Sequence, residues 1–161
     1  MKSIGTLDMT ARGEREIVMA RRFAAPRQAV FEALVRPELL KRWMGPAGWT
    51  LESCDIDLRA GGRYRYGMRG PDGAAMGWGG TIREVVPGRR IVQTELFDVD
   101  WTGGETLAAA ELEEAGGETL LTTTILYPTR EARDAVFAGP MGEGVAASYD
   151  RLDGLLAEVV G

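Results

Sequence analysis

The chain is 161 residues long, one domain's worth and enough to bury a sizeable core. Its net charge of −5, with basic residues scattered rather than clustered, argues against a phosphate-binding surface, so no nucleic-acid partner is expected. The absence of histidine and the single cysteine, Cys54, exclude Ser-His-Asp and Cys-His nucleophile systems, His-ligated metals, intrachain disulfides and Cys-cluster metal sites.

Acid–base chemistry is thereby left to Asp, Glu, Tyr, Arg and the two lysines, Lys2 and Lys41. No metal or other cofactor is expected. No apolar run has signal-peptide or membrane-span length, which points to a cytoplasmic protein without membrane insertion.

Residues 1–14 are polar, contain two glycines and lack a clear period; they are expected to form a loosely ordered arm ahead of one domain spanning 15–161. Whether the arm covers a pocket or serves a homodimer is left open. Arg15 to Phe23 alternates, with Ile17, Met19, Arg21 and Phe23 on one face, and predicts a first strand. After Pro26, Val30, Phe31 and Leu34 make a short helical stripe. A second short helix from Pro37 to Met44 carries Leu39, Leu40 and Trp43 and stops at Gly45-Pro46.

Six further strands follow. Trp49 to Leu58 places Cys54, Ile56 and Leu58 on its apolar side, and Arg63 to Arg69 sets Tyr64, Tyr66 and Met68 against Arg63, Arg65 and Arg69. Pro71-Asp72-Gly73 is a turn, because proline presets φ and glycine accepts positive φ. Ala75 to Val86 puts Met76, Trp78, Gly80 and Ile82 on one side; Ile91 to Phe97, Thr106 to Leu112 and Thr119 to Tyr127 complete the set. The loop from Asp98 to Gly103 imitates the start of a calcium loop but has Ala109 where a bidentate Glu is needed, so it reads as a solvated loop. Arg130 to Ala138 adds a helical turn or two.

Gly139 to Gly161 reads as one long amphipathic helix. Met141, Val145, Ser148, Tyr149, Leu152, Leu155, Leu156 and Val159 fall on a single stripe. Gly142, Gly144 and Gly154 each cost roughly 1 kcal/mol against Ala in a helix. Packing on the apolar face of a sheet must therefore hold the helix, which makes the fold an α+β layer.

The candidate site is the set of side chains facing that helix: Trp43, Trp49, Tyr64, Tyr66, Met68, Met76 and Trp78 from helices and strands, and Met141, Val145, Ser148, Tyr149 and Leu152 from the helix itself. Aromatic bodies with polar tips and flexible methionines suit a mostly apolar ligand pocket, and they also serve as ordinary core filler. Ser148 can hydrogen-bond a ligand or the carbonyl one turn earlier, the second being favoured. Cys54 reads as a small buried hydrophobe rather than a reactive thiol.

Several runs resemble the heat-shock-protein-90 ATPase-activator homologue family. They are Arg22-Phe23-Ala24-Ala25-Pro26 with Val30-Phe31-Glu32-Ala33-Leu34, the run from Pro37 to Pro46, Asp57-Leu58-Arg59-Ala60-Gly61-Gly62-Arg63-Tyr64-Arg65-Tyr66, and Gly80-Thr81-Ile82-Arg83-Glu84-Val85-Val86-Pro87. The resemblance covers about residues 15–160. It implies the helix-grip fold of the SRPBCC superfamily, shared with START lipid-transfer domains, birch-pollen-allergen proteins and polyketide aromatase/cyclases. In that fold a curved seven-stranded antiparallel sheet wraps a long C-terminal helix, two short helices follow the first strand, and a cavity can lie between sheet and helix. The chaperone activators that name the family carry an additional N-terminal domain not present in these residues, which counts against a chaperone-activating role.

Three functions are weighed. The leading one is binding of a hydrophobic or aromatic small molecule, without catalysis. The second is an aromatase/cyclase-like enzyme in which a tyrosine or carboxylate of shifted pKa moves protons. The third is a module that docks on a chaperone or regulator through an exposed apolar patch.

Overall fold

Alternating apolar and polar residues form nine strands in the computed structural model, which describes residues 1–160. They are β1 (Lys2–Ile4), β2 (Leu7–Arg12), β3 (Glu16–Phe23), β4 (Thr50–Ile56), β5 (Arg63–Arg69), β6 (Ala75–Val86), β7 (Arg90–Phe97), β8 (Thr106–Ala115) and β9 (Glu118–Leu126). The helices are α1 (Arg27–Val35), α2 (Pro37–Trp43), α3 (Arg130–Ala138) and α4 (Met141–Val160). Gly161, expected to end the last helix, lies outside the described residues.

The strands make one antiparallel sheet in the order β1-β2-β3-β9-β8-β7-β6-β5-β4. Every neighbouring pair is consecutive in sequence except β3 and β9. After β3 the chain passes through α1 and α2 and re-enters at the opposite edge as β4, so these two helices close one end of the sheet. Register shifts between Leu51 and Ser53 in β4 and between Ile82 and Glu84 in β6 bend the sheet. The concave face grips α4, as the helix-grip expectation requires, but with nine strands rather than seven.

The two additional strands correct the reading of residues 1–14 as a loose arm. Leu7 and Met9 are fully buried, and β2 pairs with β3 from Asp8↔Ala20 to Arg12↔Glu16. The seat for this hairpin is Gly142, where a Cβ would stand 2.5 Å from Ile4 Cδ1 and 3.0 Å from Met9 Sδ. The missing side chain lets α4 and the first two strands approach. Arg133 of α3 completes the attachment by donating to the carbonyls of Arg12, Gly13 and Glu16.

Two apolar residues expected inside are outside. Leu58 is 40 % exposed, because β4 stops at Ile56 and Leu58 lies beyond the end of the strand. Val159, in the last turn of α4, is 51 % exposed. The rest of the stripe packs: Ser148, Tyr149, Leu152, Leu155 and Leu156 are all buried.

Arg21 shares the inner face of β3 with Ile17, Met19 and Phe23. It donates to the Tyr149 carbonyl at 2.6 Å and to the Thr6 hydroxyl at 2.6 Å, and reaches Asp150 at 3.3 Å. A buried guanidinium thus ties the middle of α4 to the sheet. At the other side Arg151 donates to the Trp43 carbonyl at 3.1 Å, joining α4 to the end of α2.

Candidate functional site

Between sheet and helix lies a cavity of about 660 Å³. Its origin is local sequence. On the inner face of the central strands stand Thr106, Ala108 and Ala110 of β8 and Thr123 of β9, all short side chains that cannot reach α4. Larger groups surround them: Tyr66 and Met68 of β5, Met76 and Trp78 of β6, Phe97 of β7, and Met141, Val145 and Tyr149 of α4. Small residues at the centre and bulky ones around them leave the space open.

Of the residues expected at the site, the cavity wall contains Trp43, Tyr66, Met68, Met76, Trp78, Met141, Val145, Ser148 and Tyr149. Trp49, Tyr64 and Leu152 lie outside it. The Trp49 ring rests against Gly70, where a Cβ would come within 2.5 Å of it. Leu152 is fully buried in the packed core. The Tyr64 hydroxyl donates to the Thr94 carbonyl at 2.5 Å, across the space left by Gly80, where a Cβ would be 2.1 Å from that same oxygen.

Ser148 makes the back-bond to Gly144 O at 3.0 Å and also accepts the Gly45 N–H at 3.0 Å. It therefore ties α4 to the α2–β4 connection. Ser148→Ala is expected to cost about 1–3 kcal/mol, because the buried Gly45 N–H loses its partner. The urea midpoint measures this; an unchanged midpoint would show that the bond does not hold the connection in place.

Aromatic rings form a continuous row along the wall. Tyr66 meets Trp78 edge-on at 5.3 Å, Trp78 stacks on Phe97 at 5.2 Å, and Phe97 meets Trp101 at 4.9 Å. Trp101 lines the cavity yet is 44 % exposed, which places the mouth at the 98–105 loop. That loop is held in place: Asp98 pairs with Arg65 of β5, and Asp100 accepts the N–H groups of Thr102 and Gly104. Both carboxylates resembling calcium ligands are thus engaged.

Glu95 was not expected at the site. Its carboxyl faces the cavity from β7, and enclosure by protein pushes its pKa up to about 7 despite a hydrogen bond from Thr106. Burial raises the hydroxyl pKa values of Tyr64, Tyr66, Tyr127 and Tyr149, and the nearby Glu95 charge adds to each. The signal was in the strand: Ile91, Gln93, Glu95 and Phe97 alternate, so a carboxylate shares the face of two large apolar residues. Burial also pushes the Cys54 thiol up to about 11, leaving it protonated and unreactive near neutral pH.

Among the described residues no helix is long and apolar enough to cross a membrane, and no group of three or more acidic or Cys side chains is placed to hold a metal.

Residues 24–157 match the family model described as Activator of Hsp90 ATPase homolog 1-like protein. No curated protein matches the sequence. Among solved structures, a Rhodobacter sphaeroides protein is similar at 33 % identity and a TM-score of 0.89, covering 94 % of this chain and 99 % of that one. A Nitrosomonas europaea protein is similar at 26 % identity and 0.81, covering 92 % and 97 %. A Mycobacterium smegmatis protein is similar at 25 % and 0.83, covering 94 % and 98 %.

Proposed function

We propose that this chain, which belongs to the Activator of Hsp90 ATPase homolog 1-like protein family, binds a hydrophobic or aromatic small molecule between its sheet and α4. The observation that carries this reading is the cavity of about 660 Å³. Protein interiors are otherwise close-packed, and ligand pockets run from about 300 to 1,000 Å³. The wall is largely apolar, with a few polar groups able to orient a guest. Burial and nearby charge account for the shifts at Tyr66 and Tyr127 with no hydrogen bond to protein at either hydroxyl, so both have bonding capacity to offer a guest.

Native mass spectrometry of the purified protein, followed by denaturing extraction and a thermal-shift screen of lipids and aromatics, tests this reading. The expected result is a co-purifying mass, or stabilisation that grows with ligand concentration. A protein that is empty and that nothing stabilises overturns it. Trp78→Ala is expected to weaken binding about tenfold by removing an aromatic contact of about 1.5 kcal/mol. Calorimetry on the folded variant checks this, and undiminished affinity removes Trp78 from the binding surface.

Glu95 favours a second reading, an enzyme that moves protons as aromatase/cyclases do. A carboxyl titrating near neutral pH inside an apolar cavity suits a general base, with the Tyr66 and Tyr127 hydroxyls as donors to a developing oxyanion. Deuterium exchange at the acidic C–H of an aromatic 1,3-diketone, followed by NMR, tests it. Exchange that Glu95→Gln abolishes supports catalysis, and exchange at the uncatalysed rate rejects it.

A further inference from the structure

Among the described residues, one side chain lining the cavity can carry charge near neutral pH: Glu95. No lysine or arginine reaches the wall. Arg21 acts on Tyr149, and its own donors are committed to Thr6, the Tyr149 carbonyl and Asp150. From the other elements, the groups within reach of the Glu95 charge are neutral hydroxyls: Tyr66 on β5, Thr106 on β8, Tyr127 after β9 and Tyr149 on α4, with Tyr64 just outside the wall and bonded to the Thr94 carbonyl. The further charge felt at Tyr64, Glu105, is another anion.

Phe97 lies two residues along the same strand face, Trp78 stacks on it, and Tyr66 stands edge-on to Trp78. Ring faces attract cations, and a carboxylate in a poorly screened site attracts them further. A carboxylate among aromatics, without a protein cation to neutralise it, is complementary to positive charge. An anionic guest would meet Glu95 and find no counter-charge.

We infer that the cavity selects, among apolar and aromatic molecules, those carrying a protonated amine, seated between the Glu95 carboxylate and the rings of Tyr66, Trp78 and Phe97. This rests on the binding reading above and names the class of ligand. Fatty acids and aromatic acids are the disfavoured class.

The test uses three probes sharing one apolar body: naphthylmethylamine, naphthylmethanol and naphthoic acid, titrated into the full chain by calorimetry at about pH 8. The amine is expected to bind at least about tenfold more tightly than the alcohol, and the acid most weakly. In Glu95→Gln the amine loses its advantage, so the ratio of amine to alcohol affinity falls towards one. The unmodified protein supplies an independent arm: at about pH 5 Glu95 is protonated and the amine still charged, so the advantage shrinks. An amine no tighter than the alcohol, or an acid that binds best, overturns this inference and leaves the cavity reading intact. If none of the three binds, this inference falls, and the mass-spectrometric and thermal-shift screen decides the cavity reading separately.

Discussion

Glu95→Gln is expected to make the protein more stable than its parent by up to about 3 kcal/mol at about pH 8, and to leave it nearly unchanged at about pH 4. The carboxyl rises from 4.5 to about 7 on folding. Between those values the folded state holds a proton that the unfolded state has released. Stability is therefore fully present below 4.5, falls as pH rises through the interval, and levels off above about 7. Each tenfold change in acidity is worth about 1.4 kcal/mol, which gives the size of the loss. Glutamine has nearly the same shape and never ionises, so the slope vanishes in the variant. Urea midpoints of both proteins at about pH 4, 6 and 8 measure the difference, in which every other titrating group cancels. Parallel curves would mean that the carboxylate is well hydrated and carries no such cost. A charge that weakens the empty protein is reason to look for what neutralises it, and a protonated amine seated beside Glu95 would do so. The amine should then stabilise the parent far more than the Gln variant.

Face assignment was legible in the sequence wherever alternation was strong. Tyr64, Tyr66 and Met68 are buried opposite exposed Arg63, Arg65 and Arg69 on β5, as their spacing predicts. Position along the concave face was not legible, because alternation says which side a residue takes and nothing about what stands above it. Tyr64 and Tyr66 share a face, yet Tyr64 spends its hydroxyl on Thr94 while Tyr66 lines the cavity. Nor was the cavity itself legible from aromatics. Its space comes from small residues, Ala108, Ala110, Thr106 and Thr123, which read in sequence as ordinary strand positions rather than as an opening. The first two strands were missed because only Ile4, Leu7 and Met9 mark their inner face, and their partner, Gly142, is a residue without a side chain.

Leu152→Ala is expected to cost about 2–5 kcal/mol and to leave ligand affinity unchanged in the protein that remains folded. Leu152 has no exposed surface and sits one turn after Ser148 and Tyr149 on the buried stripe of α4. Its neighbours on the stripe, Leu155 and Leu156, are buried in the same core, and α4 packs on α1 and α2, so little around the gap is free to collapse into it. The helix divides by function along its length: Met141 to Tyr149 roofs the cavity, and Leu152 to Leu156 anchors the helix in a filled core. Urea denaturation gives the stability loss, and calorimetry with naphthylmethylamine at a temperature where the variant is folded gives the affinity. A large loss of affinity without loss of stability would move Leu152 into the binding surface and erase that division. The three helical glycines make the anchor necessary, since each weakens α4 by roughly 1 kcal/mol and only packing holds the helix over the cavity.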